Sequence, residues 1–344
     1  MHPDIFEQPA LNDYFNNQLE NQAEFMSVPM PCIDFQKYLA AKKSVDDRAL
    51  NRHVLASLAK ETDGGRGQPL QVLDVGAGIG SMLERLAAWH ILKNVRYDAI
   101  DIDAHNIREA RRLIPLWSAS LGLELADGPA GFTLARENGA VEITAHFETA
   151  DLYEFAARRG RRPCDLVIAH AFMDLVDADR ALQALLSVLT PGGLLYLTAN
   201  FDGLTVLEPP AASMPDRQVL ALYHESMDSR LVGGLPSGDS RTGRRLFSLL
   251  RRYGVELLDA GSSDWVVYPA GGRYPQDEAY FLHAIVTLIE TALKNSPALS
   301  PADFSRWIDE RRSQIESGEL VLIAHQMDFL GRAKPRPGQE WKRP

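Results

Sequence analysis

The sequence predicts an α/β protein: a Rossmann-like, seven-stranded, mostly parallel sheet with helices on both faces and its last strand antiparallel, carrying helical N-terminal and inserted cap segments. Three observations predict it. From Leu70 onward, short apolar runs alternate with helical patterns, the signature of a parallel sheet covered by helices. The apolar run Val72-Leu73-Asp74-Val75 breaks into Gly76-Ala77-Gly78-Ile79-Gly80 and passes at once into helix-forming Ser81-Met82-Leu83-Glu84-Arg85-Leu86, a strand, a tight turn and a helix. Thr190-Pro191-Gly192-Gly193 stops a helix and turns the chain into another apolar run.

In chain order, Ile33 to Lys60 reads as mostly helical within an N-terminal cap of residues 1–67, and Asp63-Gly64-Gly65-Arg66-Gly67 makes a loop. Strand one is Gln71 to Val75 and strand two Val95 to Ile100, followed by a helix from His105 to Leu121. Val141 to Phe147 is strand three and Cys164 to Ala169 strand four; helix Ala178 to Leu189 leads to strand five, Leu194 to Ala199. This core covers residues 68–203. Residues 204–253 are read as an inserted lid or substrate segment with a helix from Arg245 to Tyr253 and no strand of its own. Residues 254–331 carry the final strands: Val255 to Asp259, Trp265 to Tyr268, and Glu319 to Ala324. Between the last two, a helical insertion at 274–317 holds helices Gln276 to Lys294 and Pro301 to Glu316, far longer than a hairpin loop of ~2 to 5 residues. Residues 332–344 read as a mobile basic tail.

Composition bounds the partners. The net charge of −10 argues against nucleic acid, whose phosphates reward a basic surface. No apolar run reaches the ~18 to 20 residues that span a bilayer, and Met1 to Gln8 lacks a signal-peptide pattern. The two cysteines, Cys32 and Cys164, fit a reduced, cytoplasmic setting. Metal-ligand spacings such as Cys-x-x-Cys or His-Glu-x-x-His are absent, so no metal is expected. The expected partner is a small-molecule acceptor, with a homodimer left open.

The glycine turn places a ligand at the carboxyl end of a central strand. A dinucleotide fingerprint reads G-x-G-x-x-G; here the third glycine comes one residue early and Ser81 stands where that motif has Gly or Ala. Asp74, two residues before Gly76, repels a pyrophosphate but suits a ligand bearing an ammonium group. The stretch resembles the first motif of class I S-adenosylmethionine-dependent methyltransferases. The resemblance covers residues 68–203 and extends to Asp165-Leu166-Val167-Ile168 with Pro191-Gly192-Gly193, an order similar to the ubiquinone/menaquinone biosynthesis type.

The resemblance implies S-adenosyl-L-methionine as cofactor, with S-adenosyl-L-homocysteine as product. It implies a cofactor site of Asp74, Gly76, Ala77, Gly78, Gly80, Asp101, Ile102, Asp151, Leu152 and His170. Asp101, 21 residues after Gly80, would hold the ribose hydroxyls; Ile102 would lie against the adenine, and Asp151 would accept from its amino group. Asp103 is the better helix cap, and Asp174 and Asp177 are read as starting the next helix. The segment after strand four would line the methyl-transfer site, with His170 and Phe172 the candidates; His170 and His224 are the candidate catalytic bases. Phe172, Asn200, Tyr223, Asp228, Arg230, Arg244 and Trp265 are candidate acceptor contacts, the arginines for a carboxylate or phosphate. A lid is expected from three pieces: the N-terminal helices, Leu204 to Gly243, and Tyr274 to Ser317. The expected activity is in-line methyl transfer to an oxygen or nitrogen of a small molecule. A catalytically inactive methyltransferase-like binding or regulatory protein and an NAD-dependent oxidoreductase are the alternatives.

Overall fold

The computed structural model describes residues 33–63, 68–128, 131–136, 139, 141–159, 163–232 and 234–334. Cys32, the Arg161-Arg162 pair and residues 335–344 of the basic tail lie outside the described residues.

Two helices open the described chain, α1 (Phe35–Ala49) and α2 (Arg52–Thr62), capped by Asp34 and Asn51. Alternation then follows: β1 (Leu70–Val75), α3 (Ser81–Ala88), β2 (Asn94–Asp101), α4 (Ala104–Ser120), β3 (Glu124–Gly128), β4 (Gly131–Ala135) and β5 (Glu142–Thr149). Next come α5 (Leu152–Arg159), β6 (Cys164–His170), α6 (Ala178–Ser187), β7 (Leu189–Glu208), α7 (Asp216–Asp228), β8 (Leu231–Val232) and β9 (Leu235–Pro236). The chain ends with α8 (Thr242–Arg252), β10 (Val255–Ser262), β11 (Trp265–Val267), α9 (Glu278–Leu293), α10 (Pro301–Glu316) and β12 (Val321–Ala333).

The main sheet runs β10-β12-β7-β6-β1-β2-β5-β4-β3, with β11 also paired to β12. Neighbours from β7 through β6, β1 and β2 to β5 are parallel, and β12 lies antiparallel between β7 and β10. Side chains along the central strands alternate between two cores, as period-2 geometry requires. Val72, Leu166, Ile168 and Tyr196 pack under α2, α3 and α4, whereas Leu73, Val167, Ala169 and Leu195 pack under α5, α6 and α8. No helix among the described residues is long and apolar enough to cross a membrane.

Among the described residues the sheet has ten strands, where seven were expected. The β3–β4 hairpin extends the β5 edge with antiparallel pairs. Strand β7 does not stop at Ala199; it runs on to Glu208, so the segment after Leu204 begins inside the sheet. Strand β12 runs from Val321 to Ala333 rather than from Glu319 to Ala324. His325 to Asp328 therefore lie mid-strand, and Arg332 belongs to the sheet rather than to a mobile tail. The two long strands bend together: Ala199 takes a positive φ of 54°, and its N–H finds the Asp328 carboxylate at 2.8 Å instead of a strand partner.

A third apolar cluster joins Ala41 and Val45 of α1, Leu207, Val219 and Leu220 around α7, and Phe281, Val286, Trp307 and Ile308 of the helical pair α9–α10. Three segments remote in sequence thus share one core beside the sheet.

Candidate functional site

The carboxyl ends of β1, β2, β5 and β6 converge on the turn between β1 and α3. Gly76, Gly78 and Gly80 all have positive φ, at 66°, 55° and 81°. A Cβ on Gly76 would lie 2.7 Å from the Phe172 ring, and one on Gly78 would lie 3.3 Å from Leu39 of α1. Both positions therefore need glycine for conformation and for space. Ala77 N–H donates to Ile100 O at 2.9 Å, tying the turn to β2.

Asp101 ends β2 and organises the turn. Its carboxylate accepts from Gly78 N–H and Asp103 N–H, each at 2.8 Å, and from the Asn106 amide at 3.2 Å. Burial raises its carboxyl, against the backbone donors at Asp103 and Gly78. Asp103 caps α4 through His105 N–H, leaving Asp101 for the turn. Beside it Ile102, apolar yet 36% exposed, faces outward.

Asp74 is buried on the α3 side of β1. Tyr97 Oη–H donates to one oxygen at 2.8 Å, and the other has no hydrogen-bond partner. Burial pushes its carboxyl up to about 7, with Asp101 adding to the rise and Tyr97 and Arg85 opposing. Asp151 caps α5, accepting from Tyr153 N–H at 2.7 Å and Glu154 N–H at 3.1 Å. Leu152 turns its side chain into the core under α5 and α6.

His170, at the end of β6, sits in a buried charge network. Asp46 of α1, 3% exposed, receives Lys42 Nζ at 2.7 Å, Arg85 Nη2 at 3.2 Å, His170 Nε2 at 2.9 Å and Trp265 Nε1 at 2.9 Å. Arg85, 1% exposed, also donates to Asp47 at 2.5 Å. Burial works to raise the Asp46 carboxyl, but Lys42, His170 and Arg85 outweigh it and hold it well below the usual range. Burial pushes the His170 imidazole down to about 4, with Lys42 and Arg85 assisting against Asp46, so the ring is neutral near pH 7. An ionised carboxylate only accepts; Nε2 therefore carries the ring proton, and Nδ1 accepts from the Thr198 hydroxyl at 2.8 Å. Both ring nitrogens are engaged.

Farther along, Tyr38 of α1 and Tyr223 of α7 lie near Asp174, which follows β6. Asp177, not Asp174, caps α6. Asp174 is held off the helix because its carbonyl accepts from Asp239 N–H at 3.3 Å and Arg230 Nη2 at 3.4 Å. Its Oδ1 has no hydrogen-bond partner, and burial pushes the carboxyl up to about 6. Arg230 also donates to Ser237 O at 2.7 Å.

The remaining predicted residues have local partners. His224 stacks edge-on against Phe201 with Nε2 3.1 Å from Thr205 Oγ1. Asn200 is fully buried and donates to Met327 O at 2.8 Å. Asp228 accepts from Ser240 N–H at 2.7 Å, and Arg244 pairs with Asp202 at 2.8 Å. Arg244 and Asp228 thus brace the segment between α7 and α8, whereas Trp265 joins the Asp46 network.

Lys42, Asp46 and Arg85 were not anticipated as site residues. The Lys42–Asp46 spacing of four on a helix, and a lone arginine on the apolar face of Met82, Leu83 and Leu86, were the available signals. Among the described residues no group of three or more His, Cys, Asp or Glu is placed to hold a metal ion.

No protein-family model matches the chain, and no curated protein matches it in sequence. Among solved structures it is similar to the cyclopropane synthase MmaA2 from Mycobacterium tuberculosis, at 14% identity over 81% of this chain and 82% of that one, TM-score 0.41. It is similar to a putative type II methyltransferase from Anaeromyxobacter dehalogenans at 18% identity, covering 84% of this chain and 99% of that one, TM-score 0.46. It is also similar to the mycolic acid cyclopropane synthase CmaA1 complexed with SAH and CTAB at 12% identity, covering 81% of each chain, TM-score 0.40.

Proposed function

We propose that the chain is an S-adenosylmethionine-dependent methyltransferase acting on a small-molecule acceptor beneath a helical lid. One observation carries the reading: the Asp101 carboxylate is fixed at the end of β2 by Gly78 N–H, with the outward apolar face of Ile102 beside it. A carboxylate at that position suits a ribose diol, and an apolar face suits a base. The unpartnered oxygen of Asp74 gives the crevice a buried acceptor for a cationic group. Asp74, just before the glycine turn, disfavours a pyrophosphate there, which ranks a nicotinamide coenzyme second.

When bound, the cofactor supplies an activated methyl group. The chain's part is to hold donor and acceptor in line and to exclude water. Gly76, Ala77, Gly78, Gly80, Asp101, Ile102 and Asp74 would hold the cofactor, with Asp151 and the Leu152 backbone on the base side. Phe172 lies on Gly76 and borders the transfer region. We assign His170 to positioning: through Asp46 it fastens α1 over the glycine turn. His224, lowered by burial and therefore neutral near pH 7, is the histidine able to serve an acceptor that needs a base. Tyr223 and Arg230 border the acceptor side, and the cluster shared by α1, α7, α9 and α10 forms the lid.

Isothermal titration calorimetry tests the reading. S-adenosylhomocysteine is expected to bind and NAD not to; the reverse result overturns it.

A further inference from the structure

We propose that Asp174 meets the positive charge that develops on the acceptor, and that the acceptor is therefore an amine with a flat apolar body. The inference rests on the methyltransferase reading above and names the substrate class of the same site.

Asp174 is half-buried, with one carboxylate oxygen fully covered and without a hydrogen-bond partner. Charged and titratable groups reach it from each neighbouring element. Lys42 and Tyr38 belong to α1, Tyr223 to α7, and Arg230 follows α7; Phe201 of β7 supplies a backbone N–H. Lys42 and Arg230 both act on the carboxyl's charge, but neither hydrogen-bonds its covered oxygen. Lys42 is bonded to Asp46 and lies over the Trp265 ring, and Arg230 donates to the carbonyls of Ser237 and Asp174. Those carbonyl bonds brace the loop that carries Asp174 without using its carboxylate. Aromatic residues are near: Phe172 is two residues away in sequence, and Tyr38, which stacks on Phe281 at 5.8 Å, and Tyr223 are each close enough for their hydroxyls to feel the Asp174 charge. A carboxylate with a covered, unpartnered oxygen, set beside aromatic side chains, suits a cation or a group that becomes one.

The chemistry fits. The acceptor nitrogen's lone pair forms the new N–C bond while the S–C bond breaks and leaves its pair on sulfur. The acceptor reacts as its free base, its proton given up to solvent beforehand, and the positive charge then passes from sulfur to nitrogen. A carboxylate beside the nitrogen favours the transition state over the ground state. Burial that raises the Asp174 carboxyl to about 6 leaves it ionised above that pH, when it is needed.

The test uses the full chain saturated with S-adenosylhomocysteine. Phenethylamine, whose ammonium resembles the charged product, is titrated beside 2-phenylethanol and 3-phenylpropionate by calorimetry at pH 7.5. We expect the amine to bind at least ~10-fold tighter than either isostere, and its affinity to fall as pH drops through about 6, where Asp174 protonates. In Asp174→Asn the amine preference should vanish while S-adenosylhomocysteine affinity stays unchanged. Amine binding no tighter than the alcohol or the acid, no amine binding at all, or a preference that survives in Asp174→Asn overturns the proposal. The isostere comparison on the unmodified chain decides the matter even where the variant does not fold. Failure of S-adenosylhomocysteine itself to bind would instead sink the methyltransferase reading.

Discussion

At the scale of single residues, Asp101 and Gly78 act as one unit. The carboxylate holds the glycine N–H at 2.8 Å, and its oxygens are the ones proposed to take a ribose diol. Asp101→Ala is expected to weaken S-adenosylhomocysteine binding by ~1 to 3 kcal/mol, the scale of lost charge-assisted bonds. Unchanged affinity by calorimetry would reject the ribose assignment. Gly78→Arg has a sharper effect. Its side chain would start at a φ of 55° and meet Leu39. Cofactor binding should be abolished, whereas circular dichroism should show the fold intact, since the residue lies in a turn above the core. Retained binding in Gly78→Arg would mean that the ligand does not approach this turn. These residues were legible because glycines and an acid at fixed offsets leave a local signature. Asp174 was legible only as a helix start; its displacement depends on Asp239 and Arg230, more than fifty residues away in sequence.

At the scale of elements, α1 sets Leu39 beside Gly78 of the glycine turn and is tied to α3 and β6 through Asp46. Beside the apolar contacts of Ala41 and Val45, it carries a matched set of charges: Asp46 and Asp47 balance Lys42 and Arg85, all but Asp47 being nearly inaccessible. Removing one partner of such a set strands the others in a poor solvent, so Asp46→Ala is expected to destabilise the fold by ~3 to 5 kcal/mol. Hydrogen exchange should show the loss of protection concentrated in residues 35–49. Uniform loss, or none, would contradict the latch. The parallel strands and their helices were readable because each carries its own periodicity and stop signals. The far half of β7 was not. Asn200, Asp202 and Gly203 read locally as a loop, and what makes them strand is pairing with β12, more than a hundred residues away. The β3–β4 hairpin was missed for a similar reason: Glu124-Leu125-Ala126 has weak strand propensity, and β5 supplies the template. The segments 204–253 and 274–317 were legible as insertions from their length, but that α1, α7 and α9–α10 share one core is a tertiary fact.

At the scale of the whole molecule, the buried carboxyls give stability an unusual dependence on pH. Burial raises Asp74 to about 7 and Asp174 and Asp328 to about 6, and raises Asp101 and Asp151 as well. An acid raised in the folded state contributes stability that is fully present below its unfolded pKa, near 4, and is lost as pH rises through the folded value. His170, lowered to about 4, works in the opposite sense: its contribution is present above ~6.5 and lost as pH falls. His224 and His283 are lowered too and add to that side. Asp46, held low, likewise contributes above the usual carboxyl range and fails in acid. Between pH 8 and about 6.5 the protonation of Asp74, raised furthest, precedes that of the imidazoles in the unfolded chain, and the net charge of −10 adds self-repulsion at the alkaline end. Urea unfolding should therefore show stability increasing as pH falls from 8 to about 6.5, by up to about 1 kcal/mol per unit, before the lowered imidazoles and then Asp46 oppose it. Asp74→Asn isolates the largest contributor: it should stabilise the chain at pH 8 relative to the unmodified protein, and the difference should shrink as pH approaches 5. A cationic ligand facing Asp74 would draw its carboxyl back down, so saturation with S-adenosylhomocysteine should flatten the alkaline decline in the unmodified protein and leave Asp74→Asn unaffected. A decline that is equally steep with and without the ligand would place its ammonium away from Asp74, whatever the affinity.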